Sequence, residues 1–132
     1  MLGRLGNIFN GIDRVVSDYL PEQVSIEEVF VHINPQSALK LGHARGAALV
    51  AVAQHVLPVG YYSAKQVKKT VVGYGNASKS QVQIMVKSLL NLTRVPASDE
   101  ADALAIAICH AQLYPVMQRL GINASMKGRR LK

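Results

Sequence analysis

The sequence predicts an α/β domain, a sheet with helices packed above and below it. Two observations carry that expectation. Val24-Ser25-Ile26-Glu27-Glu28-Val29-Phe30-Val31 is short, β-branched and aromatic-rich, with apolar residues on both sides of two acids. Such runs belong to strands covered on both faces. Around it lie longer segments whose apolar residues recur at three- and four-residue spacing, the pattern of helices with one buried face. At 132 residues the chain is expected to be a single domain, 1–132, large enough for a real core.

Taken in order, Leu2 to Leu20 places Leu2, Leu5, Ile8, Phe9, Ile12, Val15, Val16 and Tyr19 on one helical stripe, and Pro21 ends it. The Val24–Val31 strand follows. Asn34-Pro35 reads as N-cap and first residue of a second helix, running to about His55. Along that helix Ala38, Gly42 and Gly46 recur every fourth residue. A helical glycine costs roughly 1 kcal/mol relative to alanine, so another backbone is expected to approach there, within the fold or across a dimer interface. Val56 to Ala64 reads as a second strand, interrupted by Pro58 and Gly60, and Lys65 to Thr70 as a short helix. Gly73-Tyr74-Gly75-Asn76 is a turn, and Ser78-Lys79-Ser80-Gln81 has the spacing of a capping box that opens a third helix to about Leu90. Pro96 marks the loop before a last helix from Asp99 to about Leu113, which Pro115 is expected to break or kink; a basic tail occupies about 124–132.

Hydrophobic residues make up 49% of the chain and charged residues 17%, which excludes a disordered protein. The net charge is +7 and the pI about 9.8, a balance that suggests a polyanionic partner, most simply nucleic acid. The single cysteine, Cys109, excludes an internal disulfide framework; it fits a reducing cytoplasm and reads as a buried, inert thiol. The longest apolar run, Ala47 to Ala53, is too short to cross a membrane, and Met1-Leu2-Gly3-Arg4 leads into no signal-peptide core. A soluble protein inside the cell is expected.

The chemistry concentrates in few places. A strand covered on both faces should hold Glu27 away from water, where a carboxylate needs a partner or a metal. Asp99 and Asp102 sit three apart at the start of an apolar helix, on one face of its first turn. Acids there complement the helix dipole; combined with Glu27 they also make a hard-cation cage suited to Mg²⁺ and in-line phosphodiester cleavage. Lys68, Lys69 and Lys79 bracket the Gly73–Asn76 turn, either as a phosphate-binding edge or as a solvated charged face. Phe30 is either core or, at the strand's edge, a residue that stacks on an unpaired base. His32, His43, His55 and His110 show no zinc-type spacing and read as structural or surface residues. Gly11-Ile12-Asp13 looks like a strand-borne catalytic acid, but the segment keeps helical period, so Asp13 is expected to face solvent. No P-loop or Gly-x-Ser-x-Gly signature is present.

Four blocks in register then resemble the RuvC family of Holliday-junction resolvases: Ser25 to Phe30, Ser37 to Gly46, Gln66 to Val82, and Asp99 to Ala107. The resemblance implies a ribonuclease-H-like α/β fold, a mixed sheet flanked by helices. It also implies a homodimer, Mg²⁺-dependent paired nicking of four-way DNA junctions (two ions per site, Mn²⁺ able to substitute), and work beside the RuvA and RuvB branch-migration proteins. By position, Glu27, Asp99 and Asp102 match three of the family's four metal-binding acids. Lys68 and Lys79 match lysines near the scissile phosphate, Lys69 adds to the DNA-binding edge, and Phe30 matches an aromatic that contacts junction bases. The Asn34–His55 helix matches the dimer helix. The family opens with strands, the first bearing a Gly-Ile-Asp-Pro-Gly motif with the fourth acid, and this chain begins at the helix after them. The expectation is therefore an N-terminally truncated resolvase with an exposed strand edge. The alternative is a non-cleaving binder of junction or duplex DNA.

Overall fold

The computed structural model describes residues 2–28 and 34–121. Phe30 and the basic tail at 124–132 lie outside the described residues. Seven elements follow one another: α1 (Leu2–Tyr19), β1 (Val24–Glu28), α2 (Pro35–Gln54), β2 (Val59–Ser63), α3 (Ala64–Val71), α4 (Lys79–Leu89) and α5 (Ser98–Arg119). Helices alternate with strands, and β1 pairs with β2 in a two-stranded sheet among the described residues. The fold class is α/β, as the strand and helix patterns predict. No described helix is long and apolar enough to cross a membrane.

The chain divides into two compact units, one holding α1 and α2, the other holding β1 from Ser25 onward, β2, α3, α4 and α5. In the first unit α1 packs on α2. The α2 start is as expected: Asn34 is extended and its side chain accepts the Ser37 N–H at 2.9 Å, with Pro35 behind it. Buried side chains are few, namely Val16, Ala51 and Val52. A polar tie links α1 to the C-cap of α2: Asp13 Oδ1 lies 2.7 Å from His55 Nε2. Asp13 therefore does not simply face solvent, because its helix period turns it toward the C-cap of α2. A Cβ on Gly42 or Gly46 would meet nothing within 4 Å, so among the described residues no close backbone approach explains them. Each of three helix ends is followed by a non-glycine residue with positive φ: Leu20 (51°) after α1, Val56 (55°) after α2 and Asn91 (55°) after α4.

The second unit owns the principal core. Tyr62, Val67, Val71, Val82, Val86, Ala105, Cys109 and Met117 interlock from β2, α3, α4 and α5. Cys109 is fully buried, and burial pushes its thiol pKa up, partly offset by a hydrogen bond with Thr70, so it stays an inert thiol. Tyr62 Oη lies 2.6 Å from His110 Nδ1. Burial pushes the Tyr62 pKa up to about 12 and the His110 pKa below its ordinary value. Both groups are therefore neutral, and the phenol and Nδ1 share a hydrogen bond whose direction follows the imidazole tautomer. Gly60 makes room for this pair: a Cβ there would stand 2.6 Å from His110 Nδ1 and 2.8 Å from Tyr62 Oη.

Pro115 does not end the last helix. α5 continues to Arg119 with the proline inside it. Pro115 and Ala111, whose carbonyl would have taken the missing N–H, are both exposed, so that carbonyl can turn to water.

Candidate functional site

A cleft of about 330 Å³ opens within the second unit. β1 lends it Ser25, Ile26 and Glu27, α3 lends Val67 and Lys68, α4 Lys79 and Val82, and α5 Asp102, Ala105 and Ile106. Its apolar part is made of core-packing side chains (Val67, Val82, Ala105), and its charged part, Glu27, Lys79 and Asp102, is exposed. The Ser25 hydroxyl donates to the Ile106 carbonyl at 3.4 Å, tying β1 to α5.

Local rules place each charged group. At α4, Ser78 Oγ accepts the Gln81 N–H at 3.2 Å and Gln81 Oε1 accepts the Ser78 N–H at 2.8 Å, the capping box read from the sequence. Lys79 thereby becomes the first residue of α4, turned to the cleft. At α5 the three neighbouring acids divide their work. Glu100 reaches back to accept the Ala97 N–H at 3.0 Å and so caps the helix. Asp102, a turn further on, is left for the cleft.

Lys79 Nζ donates to Asp102 Oδ2 at 3.0 Å and to Ser98 Oγ at 3.1 Å. Its pKa is raised, first by the hydrogen bond and charge of Asp102 and then by the charges of Asp99 and Glu27, while desolvation works the other way. An ammonium thus sits where three carboxylates stabilise positive charge. That tests the implied metal: the donors are hard oxygens, and the spot already favours a cation. The three carboxylates do not converge on one point, since no three His, Cys, Asp or Glu among the described residues form a group that could hold an ion. The residues fit a divalent cation by donor chemistry and charge, and Lys79 is the cation now seated on Asp102.

The structure brings Glu27, Asp102, Lys68 and Lys79 into one cleft. Asp99 is exposed beside it and acts on Lys79 through its charge. Lys69 is exposed on α3 and does not line the cleft. Glu27 departs from expectation: it is exposed, because β1 here has β2 for a neighbour and is not covered on both faces. It lines the cleft rather than the core. Ser98 was not legible as a site residue, since a serine before an acidic helix start reads only as a cap. Its hydroxyl oxygen instead accepts a hydrogen bond from Lys79 Nζ.

The chain resembles known proteins over most of its length. A family model described as crossover junction endodeoxyribonuclease RuvC matches residues 1–110. The crossover junction endodeoxyribonuclease RuvC of Burkholderia ambifaria (strain MC40-6) is 53% identical over 118 residues, covering 89% of this chain and 64% of the relative. That of Legionella pneumophila (strain Lens) is 49% identical over 129 residues, covering 98% of this chain and 74% of the relative. Among solved structures, Thermus thermophilus RuvC superposes with a TM-score of 0.78 at 38% identity, covering 92% of this chain and 72% of that one. The same protein in complex with a Holliday junction substrate gives a TM-score of 0.79 at 41% identity, covering 83% and 67%. The chain spans less than two thirds of the Burkholderia relative's length. With the family model, the identities and the ribonuclease-H-like α/β fold in agreement, this chain belongs to the RuvC family of crossover junction endodeoxyribonucleases.

Proposed function

We propose that this chain serves a divalent-metal-dependent endonuclease that resolves four-way DNA junctions by paired nicking, in recombination and repair. The observation that supports it most is the cleft in which Glu27 and Asp102 share an edge with Lys68 and Lys79, on a chain of net charge +7. The acids are suited to divalent cations, and the lysines to the phosphates beside them. Glu27, Asp99 and Asp102 would hold the metal, two Mg²⁺ per site with Mn²⁺ able to substitute. Bound there, such ions supply an attacking hydroxide and stabilise the leaving oxygen. Lys79, held at the cleft by Ser98 and Asp102, would offset charge on the phosphate. Lys68 faces the same phosphate from α3, Lys69 extends the cationic edge along the DNA, and Phe30 contacts junction bases. The family's fourth acid has no counterpart among these 132 residues, so these three acids are the chain's own share of the site.

Gly42 and Gly46 leave open space along α2, which suits a homodimer formed across that helix. Branched DNA, RuvA and RuvB are the proposed partners, in the cytoplasm. The test is a synthetic four-way junction incubated with the chain, with and without Mg²⁺, read on native and denaturing gels. Symmetric nicks that need Mg²⁺ and vanish in Glu27→Gln are the expected result. A junction that is shifted but never cut would replace this reading with the non-cleaving binder, and one neither shifted nor cut would overturn both.

A further inference from the structure

We propose that Tyr74 is a DNA-contact residue whose ring stacks on an unpaired base next to the cleft; this rests on the junction reading above and adds a contact to it. The ring stands on the turn between α3 and α4 and is 46% exposed. Gly73 shapes that turn with a φ of 119°, a conformation that side chains resist. The Tyr74 hydroxyl is anchored: Gln81 Nε2 donates to it at 2.5 Å, while Oε1 of the same amide accepts the Ser78 N–H. One amide therefore ties the ring to the first turn of α4, and Lys79 is the residue beside Ser78. The capping box needs only Ser78 and Gln81, so α4 has no use for an aromatic there. An exposed ring already fixed by its hydroxyl loses little freedom on binding, which favours its use as a contact surface.

The surroundings match a nucleotide. Lys65 packs its aliphatic chain where a Cβ on Gly75 would stand, Lys68 and Lys69 follow on α3, and Lys79 opens α4. From Val29 through Ser98 the sequence contains no Asp or Glu, so no acid on α3, the turn or α4 repels a phosphate. Lysines that hold a backbone next to a presented aromatic face are the chemistry by which proteins bind unpaired nucleotides, and stacking accepts any base.

The test uses the whole chain with three probes: a four-way junction and a single-stranded oligonucleotide, each carrying 2-aminopurine (at the crossover in the junction), and a linear duplex. Wild type is expected to quench the 2-aminopurine on binding, and Tyr74→Phe to keep the quench. Tyr74→Leu, which keeps bulk at an exposed position but loses the aromatic face, should weaken the quench several-fold and junction binding about tenfold, with duplex affinity unchanged. Circular dichroism confirms that each variant is folded. Tyr74→Leu that quenches and binds like wild type overturns the proposal while leaving the junction reading intact. If wild type prefers no junction over duplex, the junction reading falls, and the single-strand quench in Tyr74→Leu still decides the tyrosine. Wild type that binds none of the three overturns both.

Discussion

The two units spend their sequence differently. In the second, β2, α3, α4 and α5 converge on Tyr62, Val86 and Cys109, which are fully enclosed, and the charged cleft residues stand on α3, α4, α5 and the neighbouring β1. In the first, two long helices bury Val16, Ala51 and Val52, leave Leu39 and Val50 exposed, and share a His–Asp tie. A helix pair of that kind draws most of its stability from packing rather than propensity. The site-bearing unit is thus the better anchored one, which suits groups that must be held in place before substrate arrives.

Three substitutions would break or sharpen this contrast. Gly60→Ala should be the most damaging, at roughly 3 kcal/mol, because its Cβ meets the buried His110 and Tyr62 rings at 2.6 and 2.8 Å and neither can move aside; urea unfolding measures it, and a loss under about 1 kcal/mol would mean the Tyr62–His110 pair is loosely held. Val86→Ala should follow at about 2 kcal/mol for two lost methyl groups and the void they leave. Val50→Ala, at a position 54% exposed, should cost less than about 0.5 kcal/mol. Equal costs for the two valines would erase the difference between the units.

A smaller effect is expected from pH. Burial holds the His110 pKa below its usual 6.5, so the unfolded chain takes up a proton that the folded state keeps off. Stability is then intact above about pH 6.5 and falls as pH drops through that value. Unfolding midpoints at pH 7.5 and 5.5 should show the drop, and His110→Gln should remove it; a drop that persists in the variant would place its cause elsewhere.

Much of this was legible in the sequence. Asn34-Pro35 and Ser78-Lys79-Ser80-Gln81 carry their own start signals, because capping depends on residues within one turn. The Asp99/Asp102 spacing and the lysines around Gly73–Asn76 pointed to the charged cleft for the same local reason. What failed was long-range. The exposure of Glu27 depends on which strands neighbour β1, and no residue near it encodes that. Pro115 was expected to break or kink the helix; that α5 runs on through it depends on the Ala111 carbonyl reaching water, which the fold decides. The Asp13–His55 tie spans two helices, and the division of Asp99, Glu100 and Asp102 into cap and cleft needed the backbone ahead of them.

Val56 draws out one more consequence. It follows the C-cap of α2 with a φ of 55°, and it is 87% exposed. A β-branched residue pays for that left-handed geometry with steric strain, and nothing is packed on its side chain to offset it. The site is therefore a ready handle for engineering. Val56→Gly should raise the stability of the α1–α2 pair by about 1 kcal/mol, read as slower amide exchange in α2, while leaving every cleft residue untouched. A chain hardened in this way would let the α1–α2 pair be tuned while the cleft stays as it is.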